Sequence, residues 1–346
     1  MVDWFLSSNL CYVFTAPSGA AQRAFWRMAA AEGLPLRTID ERGNVVEEGS
    51  LVGDGDAEVH VLFAAEPSNV RPKVLPSNVP RADVYCAVGR EATLALVSGR
   101  LPQRWQSVED HATSVVKDPH GVCNIPPGAL VVPVNMPGFI PQEHRARQAA
   151  LFGGEEWYPS RRLALRRVRA ALDGTLPKAP AQDFTLFATA ANMDELINMA
   201  TIAGGVAIDL ETPRGGDAIF VGAFAVGERA WVFDAEGTVE AARRLFALDI
   251  AIYGQNHTTF DIPILCEHGV PMPRGPIRDL RWLHAKVYPR MPHDLCHIGT
   301  HACPWAPINH KPMSNAAPMT KDQREYCAVD AWLAWWAAHY LEEEFV

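Results

Sequence analysis

The chain has 346 residues, with 31 Lys and Arg against 40 Asp and Glu, a net charge of −9 and a hydrophobic fraction of 48%. Those values fit two globular domains and exclude a disordered or low-complexity chain. The acidic balance argues against tight binding along a duplex, which draws on Lys and Arg, but not against a transient hold on a few nucleotides. Seven cysteines without framework spacing predict reduced thiols and a cytoplasmic protein. The start, MVDWFLSSNLCYVF, has no basic n-region, and no run reaches the roughly 18–20 apolar residues of a membrane span, so no membrane partner is expected.

In chain order, NLCYVFTA is strand-like, and SGAAQRAFWRMAAAEG is a helix with Ser18 as N-cap and Gly33 at its end. The strands EVHVLFAA and ADVYCAVG follow, then a helix, REATLALVSG, and a strand running into a loop, GALVVPVNMPGF. This alternation predicts an α/β sandwich with a mostly parallel sheet over residues 1–175. SRRLALRRVRAAL is helical and carries Arg161, Arg162, Arg166, Arg167 and Arg169. Such a run is ordinarily the solvated face of an amphipathic helix, and phosphate contact is the rarer use. A Pro/Ala-rich stretch at 176–186 reads as a linker to a second domain at 187–346.

In the second domain GGVAIDL has the apolar pattern of a buried strand and delivers Asp209 and Glu211. Two apart on a strand, they share a face, while Leu210 points into a core. AIFVGAFAV and AWVFDAEG continue as an antiparallel meander. In GQNHTTFDIPIL a helix begins at FDIPIL with Asp261 at its start, and in QREYCAVDAWLAWWAAHYL Tyr326 and Asp330 stand at i and i+4 on one helical face. Trp332, Trp335 and Trp336 have the spacing of core packing. His293, Cys296, His297, His301 and Cys303 crowd into PHDLCHIGTHAC; the spacing permits zinc, and the plainer reading is a packed helix. Four carboxylates drawn together from distant segments repel one another. Two divalent cations about 3.5–4 Å apart would supply the pairing, as in sites that cut phosphodiesters.

Together these motifs resemble the DEDD superfamily of 3′–5′ exonucleases, in its tyrosine subclass, over roughly residues 185–346. The first motif is Asp209, Glu211 and Thr212, the second Asn256, Phe260 and Asp261, and the third Tyr326 and Asp330. The resemblance implies a ribonuclease H-like mixed-sheet domain. It also implies two Mg2+ or Mn2+ ions held by Asp209, Glu211, Asp261 and Asp330, with Asp209 shared between them. Tyr326 would orient the attacking water, since an ordinary tyrosine pKa of about 10 suits it poorly as a base. Thr212, Asn256, Phe260 and Lys311 would serve the substrate.

The first half resembles the uracil-DNA glycosylase superfamily in its family 4-like branch, through ADVYCAVGREATLALVSG and VVPVNMPGFI. Met136 stands before Pro137 where that family has histidine, and the loop APSG (16–19) lacks the acidic water-activating residue. Methionine cannot donate a charged hydrogen bond to a departing uracil anion. Cys11, Cys86 and Cys123 do not give the iron–sulfur spacing. A glycosylase-like domain without glycosylase activity is therefore expected. Some phage DNA polymerases carry such a domain ahead of their exonuclease. The implied function is a DNA exonuclease acting on single-stranded DNA or a primer 3′ end, in proofreading, replication or repair. No palm or fingers follow residue 346, so the chain would be the exonuclease part of a split polymerase, with a separate polymerase subunit as partner. The alternatives are a ribonuclease D-like exoribonuclease and a replisome adaptor.

Overall fold

The computed structural model of the chain describes residues 10–14, 25, 28–34, 59–63, 82–88, 96, 115–117, 128–134 and 159–178 of a first unit. In the second it describes residues 180–213, 218–288, 293–305 and 319–343. The units meet in sequence between Lys178 and Ala179. Among the described residues, no helix is long and apolar enough to cross a membrane.

In the first unit the strands are β1 (Leu10–Phe14), β2 (Val59–Phe63), β3 (Val84–Val88), β4 (Val116–Lys117) and β5 (Leu130–Val134), followed by helix α1 (Pro159–Leu172). The sheet order is β2-β1-β3-β5-β4. All pairings are parallel except that of β4 with β5, so the sheet is mostly parallel as its sequence pattern predicts. Every residue of β3 is buried, as expected for a central parallel strand covered on both faces. Gly33, at φ +68°, closes the helical segment before it, where Leu34 N donates to Ala29 O at 3.0 Å.

The arginine run of α1 is a solvated face only in part: Arg162, Arg166 and Arg169 are 44%, 61% and 49% exposed. Arg161 and Arg167 are 1% and 6% exposed, beside the buried Ala164, Leu165 and Val168. Arg162 and Arg166 donate to the two oxygens of Glu32 at 2.6 and 2.9 Å, and Arg169 donates to Asp173 and to Gly33 O, both at 2.7 Å. Glu32 is distant in sequence, so no periodicity rule could reveal these partners. The loop 16–19, Ser18, Cys123, Met136 and Pro137 lie outside the described residues.

The second unit contains β6 (Asp183–Thr185), α2 (Ala190–Ala203), β7 (Gly205–Glu211), β8 (Val221–Val226), β9 (Arg229–Asp234), α3 (Ala235–Phe246) and β10 (Ala251–Gly254). It continues with α4 (Asp261–Glu267), β11 (Ile277–Asp279), α5 (Leu280–Val287), α6 (Leu295–Ala302) and α7 (Lys321–Glu343). The six-stranded sheet runs β11-β10-β7-β8-β9-β6. β7, β8 and β9 form the antiparallel meander, while β10 lies parallel to β7 and β11 parallel to β10. Counted from β7, the order is the ribonuclease H-like mixed sheet, with β6 added at one edge.

That added strand corrects the linker assignment. Asp183, Phe184 and Thr185 pair in parallel with Arg229, Ala230 and Trp231, because the exposed edge of β9 accepts even three residues of extended chain. Helix α3 lacks any sequence expectation. It starts at Asp234, whose side chain accepts from Gly237 N at 2.9 Å, and buries Ala241, Ala242, Leu245 and Phe246.

The core sits between the sheet and the long α7, which packs on β7, β8, β9, β10, α5 and α6. Trp332 is 1% and Trp335 6% exposed, so they are core residues, each worth roughly 1.5–3 kcal/mol of burial. Gly299 permits the close approach of α6: a Cβ there would lie 2.4 Å from Leu333 Cδ2.

Candidate active site

β7 turns its two acidic residues to one face because Leu210 is taken by the other. Leu210 is 6% exposed and sits opposite Gly222 of β8, where a Cβ would come within 2.9 Å of Leu210 Cδ2. Asp209 is partly exposed and Glu211 is 5% exposed. Helix α7 lies against β7 and delivers Asp330. Oxygens of Asp209, Glu211 and Asp330 all fall within 4.8 Å of one another. Among the described residues these make a cluster of ligand atoms close enough to share an ion.

The fourth carboxylate arrives from α4. Asp261 is 4% exposed, and its Oδ1 accepts from the backbone N–H of Leu210 at 2.9 Å. The bond ties the start of α4 to the strand that holds Asp209 and Glu211. Tyr326 stands one turn before Asp330 and hydrogen-bonds to it.

The electrostatics record how unfavourable this set is alone. Burial pushes the Asp209 carboxyl well above the usual carboxylate range, and Asp330, Asp261 and Glu211 push it further; the Cys327 thiol works weakly against them. Burial raises Asp261 to about 7, with Asp279 and Glu211 adding to the rise and the Leu210 N–H opposing it. Burial and the charges of Asp330 and Asp209 raise the Tyr326 hydroxyl far above its ordinary value, so it stays protonated and acts as a donor. Repulsion of this kind is relieved by protons or by cations.

Of the residues expected to serve substrate, Thr212 follows Glu211 and is 9% exposed, and Phe260 is 41% exposed at the N-cap of α4. Asn256 has a left-handed backbone at φ +59°, and its Oδ1 accepts from Thr259 Oγ1 at 2.8 Å and from Arg281 at 3.0 Å. Lys311 lies outside the described residues.

Several neighbours had no sequence expectation. Cys327 lies buried with Sγ 3.5 Å from Asp209 Oδ2; its position beside Tyr326 was the only signal. Asp279 is buried under the Asn256 turn, yet as an Asp before a helix it reads as an ordinary cap. His257 is fully buried, its Nδ1 2.9 Å from Gly254 O.

The histidine group holds one more imidazole than the sequence motif shows. A fourth imidazole, His284 from α5, lies between the others: its Nδ1 is 2.8 Å from His293 Nδ1, and its Nε2 is 3.0 Å from His301 Nδ1. His297 and His301 meet edge to face with ring centroids 4.4 Å apart. The ring-to-ring contacts occupy both nitrogens of His284 and one each of His293 and His301.

No family model matches the chain, and no curated protein matches it. Among solved structures it is similar to Escherichia coli RNase D, described as an exoribonuclease involved in structured RNA processing. That match has 17% identity over 47% of this chain and 44% of that one, at a TM-score of 0.40. The chain thus spans less than half of that relative's length. It is also similar to the Nibbler EXO domain of Aedes aegypti, with 14% identity over 49% of this chain and 90% of that one, TM-score 0.37. A third is the catalytic core of RRP6 from Trypanosoma brucei, with 15% identity over 49% of this chain and 54% of that one, TM-score 0.36. Overlaps this loose leave the functional reading to the side chains.

Proposed function

We propose that the chain is a metal-dependent 3′–5′ exonuclease that releases nucleoside monophosphates from the 3′ end of DNA. The observation that carries this is the convergence of Asp209, Glu211 and Asp330 within 4.8 Å, with Asp261 bonded to the same strand and Tyr326 bonded to Asp330. Four like charges have no reason to be gathered in a buried site unless cations join them. The donors are hard carboxylate oxygens, which suit Mg2+ or Mn2+. When bound, such a pair supplies a nucleophile at neutral pH and stabilises the leaving oxygen.

The protein's own residues do the positioning. Tyr326, held protonated, donates a hydrogen bond at the site, and its link to Asp330 fixes its direction. Asp261 is anchored by the Leu210 N–H, which ties the start of α4 to β7. The half-exposed ring of Phe260 offers a face for the terminal base. Thr212 and Asn256 are assigned to the terminal nucleotide from the sequence motifs that carry them.

DNA is favoured over RNA by the first half, whose sequence resembles a DNA-repair fold and whose sheet is mostly parallel. A role in proofreading or replication beside a separate polymerase follows from the same resemblance. An adaptor without chemistry is disfavoured, since it would have no need to keep repelling carboxylates together.

The test is digestion of a 5′-labelled single-stranded DNA oligonucleotide with Mg2+ or Mn2+, beside a matched RNA. A ladder shortening from the 3′ end, lost in chelator, supports the proposal. A ladder on RNA alone replaces DNA with RNA, and none on either substrate from folded, metal-supplied protein refutes the nuclease reading.

A further inference from the structure

Resting on the nuclease reading above, we propose that Asp279 is a positioning residue. It holds the turn at 256–258 in the form that presents Asn256 to the 3′-terminal nucleotide. Asp279 ends β11, on the far side of β10 from β7, and is 4% exposed. Its Oδ1 accepts from Asn256 N and Arg281 N, both at 3.0 Å. Its Oδ2 accepts from Thr258 N at 3.1 Å and from Thr258 Oγ1 at 2.5 Å.

Helix capping alone does not account for this. A cap requires only the bond from Arg281 N to one oxygen. Here Oδ2 is given wholly to the turn, and Oδ1 is shared between the turn and the cap. The turn needs such support because Asn256, a residue with a Cβ, sits at φ +59°, a backbone region that costs free energy unless its surroundings enforce it. The outcome is directional. With the Asn256 Oδ1 taken by Thr259 and Arg281, the amide Nδ2 is the end that can donate to a substrate oxygen.

Asp261, only a few residues on, has its own anchor in the Leu210 N–H, while Ile262 N donates to His257 O of the turn and the Asp279 charge reaches Asp261. Removal of Asp279 should therefore weaken the hold on substrate far more than the hold on metal. This separation makes the proposal testable. In Asp279→Asn the new amide presents N–H groups to N–H donors. KM for a single-stranded oligonucleotide should rise about tenfold, while kcat per folded molecule and the Mn2+ titration stay within about twofold. Asn256→Ala should show the same split, and the double variant should be no worse than either alone. Amide exchange should quicken at Asn256 and Thr258 while Leu210 keeps its protection.

A purely structural role would lower thermal stability without this KM shift and would add fully to Asn256→Ala. Either that result or unchanged exchange at Asn256 and Thr258 overturns the proposal. If Asp279→Asn does not fold, Thr258→Val, at an exposed position, decides the matter: a KM rise of about twofold or more supports it, and none overturns it. A wild-type chain that releases no nucleotide instead refutes the nuclease reading on which the proposal rests.

Discussion

The second unit buries two groups of ionisable side chains that meet the cost of burial in opposite ways. The carboxylates Asp209, Glu211, Asp261 and Asp330 accept hydrogen bonds but, when ionised, cannot donate to one another, so burial first, and then neighbouring carboxylates, raise Asp209 and Asp261 above their ordinary range. The histidines 284, 293 and 301 form a chain of ring-to-ring contacts, in which a neutral imidazole can donate at one nitrogen and accept at the other. Burial, then His293 and His297, hold His284 down at about 3, which keeps it neutral. When ionised, the first group offers only acceptors and calls for protons or a cation, whereas the second offers both donors and acceptors. That contrast is why the proposed chemistry rests on the carboxylates.

The largest expected effect breaks the first group. Asp209→Ala should reduce nucleotide release by about 10³-fold or more, since a metal site supplies several kcal/mol of transition-state stabilisation. The same variant should melt higher than wild type when both are metal-free, because a carboxyl whose ionised form is disfavoured by burial and by its neighbours is gone. A lower melting point in the metal-free variant would show that the carboxylate stabilises the fold and would undo the comparison.

A second effect concerns metal and pH together. Mg2+ or Mn2+ at 100 times its dissociation constant should stabilise the chain by about 2.7 kcal/mol. Without metal, Asp261 contributes in the other direction. Its folded value of about 7 lies above the ordinary 3.8, so folding favours its protonated form. That contribution is complete below the ordinary value and fades as pH rises through about 7. Metal-free protein should therefore melt lower at pH 8 than at pH 5.5, and divalent metal should narrow or reverse the difference. Thermal melts at both pH values with chelator and with Mn2+ check this.

How much was legible in the sequence follows from the range of the rules. Asp209 and Glu211 obey the strand period, Tyr326 and Asp330 obey the helix period, and Asp261 opens a helix, so each could be placed by local spacing. Asp279 and His284 could not. Each belongs to a cluster through contacts made across β11 and α5, and locally one reads as a helix cap and the other as a lone histidine. The burial of Arg161 and Arg167 was hidden for a similar reason, since a helical wheel does not reveal what covers its polar side. β4 and β6, of two and three residues, are too short to show a period and exist only because a neighbouring edge pairs with them.

The histidine group gives a pH effect of opposite sign, with little expected change in nucleotide release. The folded value of His284 lies below its ordinary one, so its contribution is complete above about 6.5 and fades as pH falls. One such group gives a slope of up to about 1.4 kcal/mol per pH unit. The faces turned to it carry His293, His297, His301 and Tyr288. His284→Gln should flatten the acid limb of the melting curve while leaving nucleotide release at pH 8 within about twofold. Loss of activity with an unchanged acid limb would move the histidines into the catalytic apparatus.

The smallest effect lies where a protein donor touches the carboxylates. Cys327 is buried on α7 with Sγ 3.5 Å from Asp209 Oδ2 and 3.6 Å from Asp209 O. Its thiol lowers Asp209, yet a thiol is a weak donor. If cations rather than protein groups hold the carboxylates together, Cys327→Ala should cost about 1 kcal/mol of stability and less than about tenfold in nucleotide release. A loss as large as that of Asp209→Ala would mean that the thiol sets the position of Asp209. The carboxylate group would then be held in part by a protein donor. Release rates of the two variants, measured at the same saturating Mn2+, separate these cases.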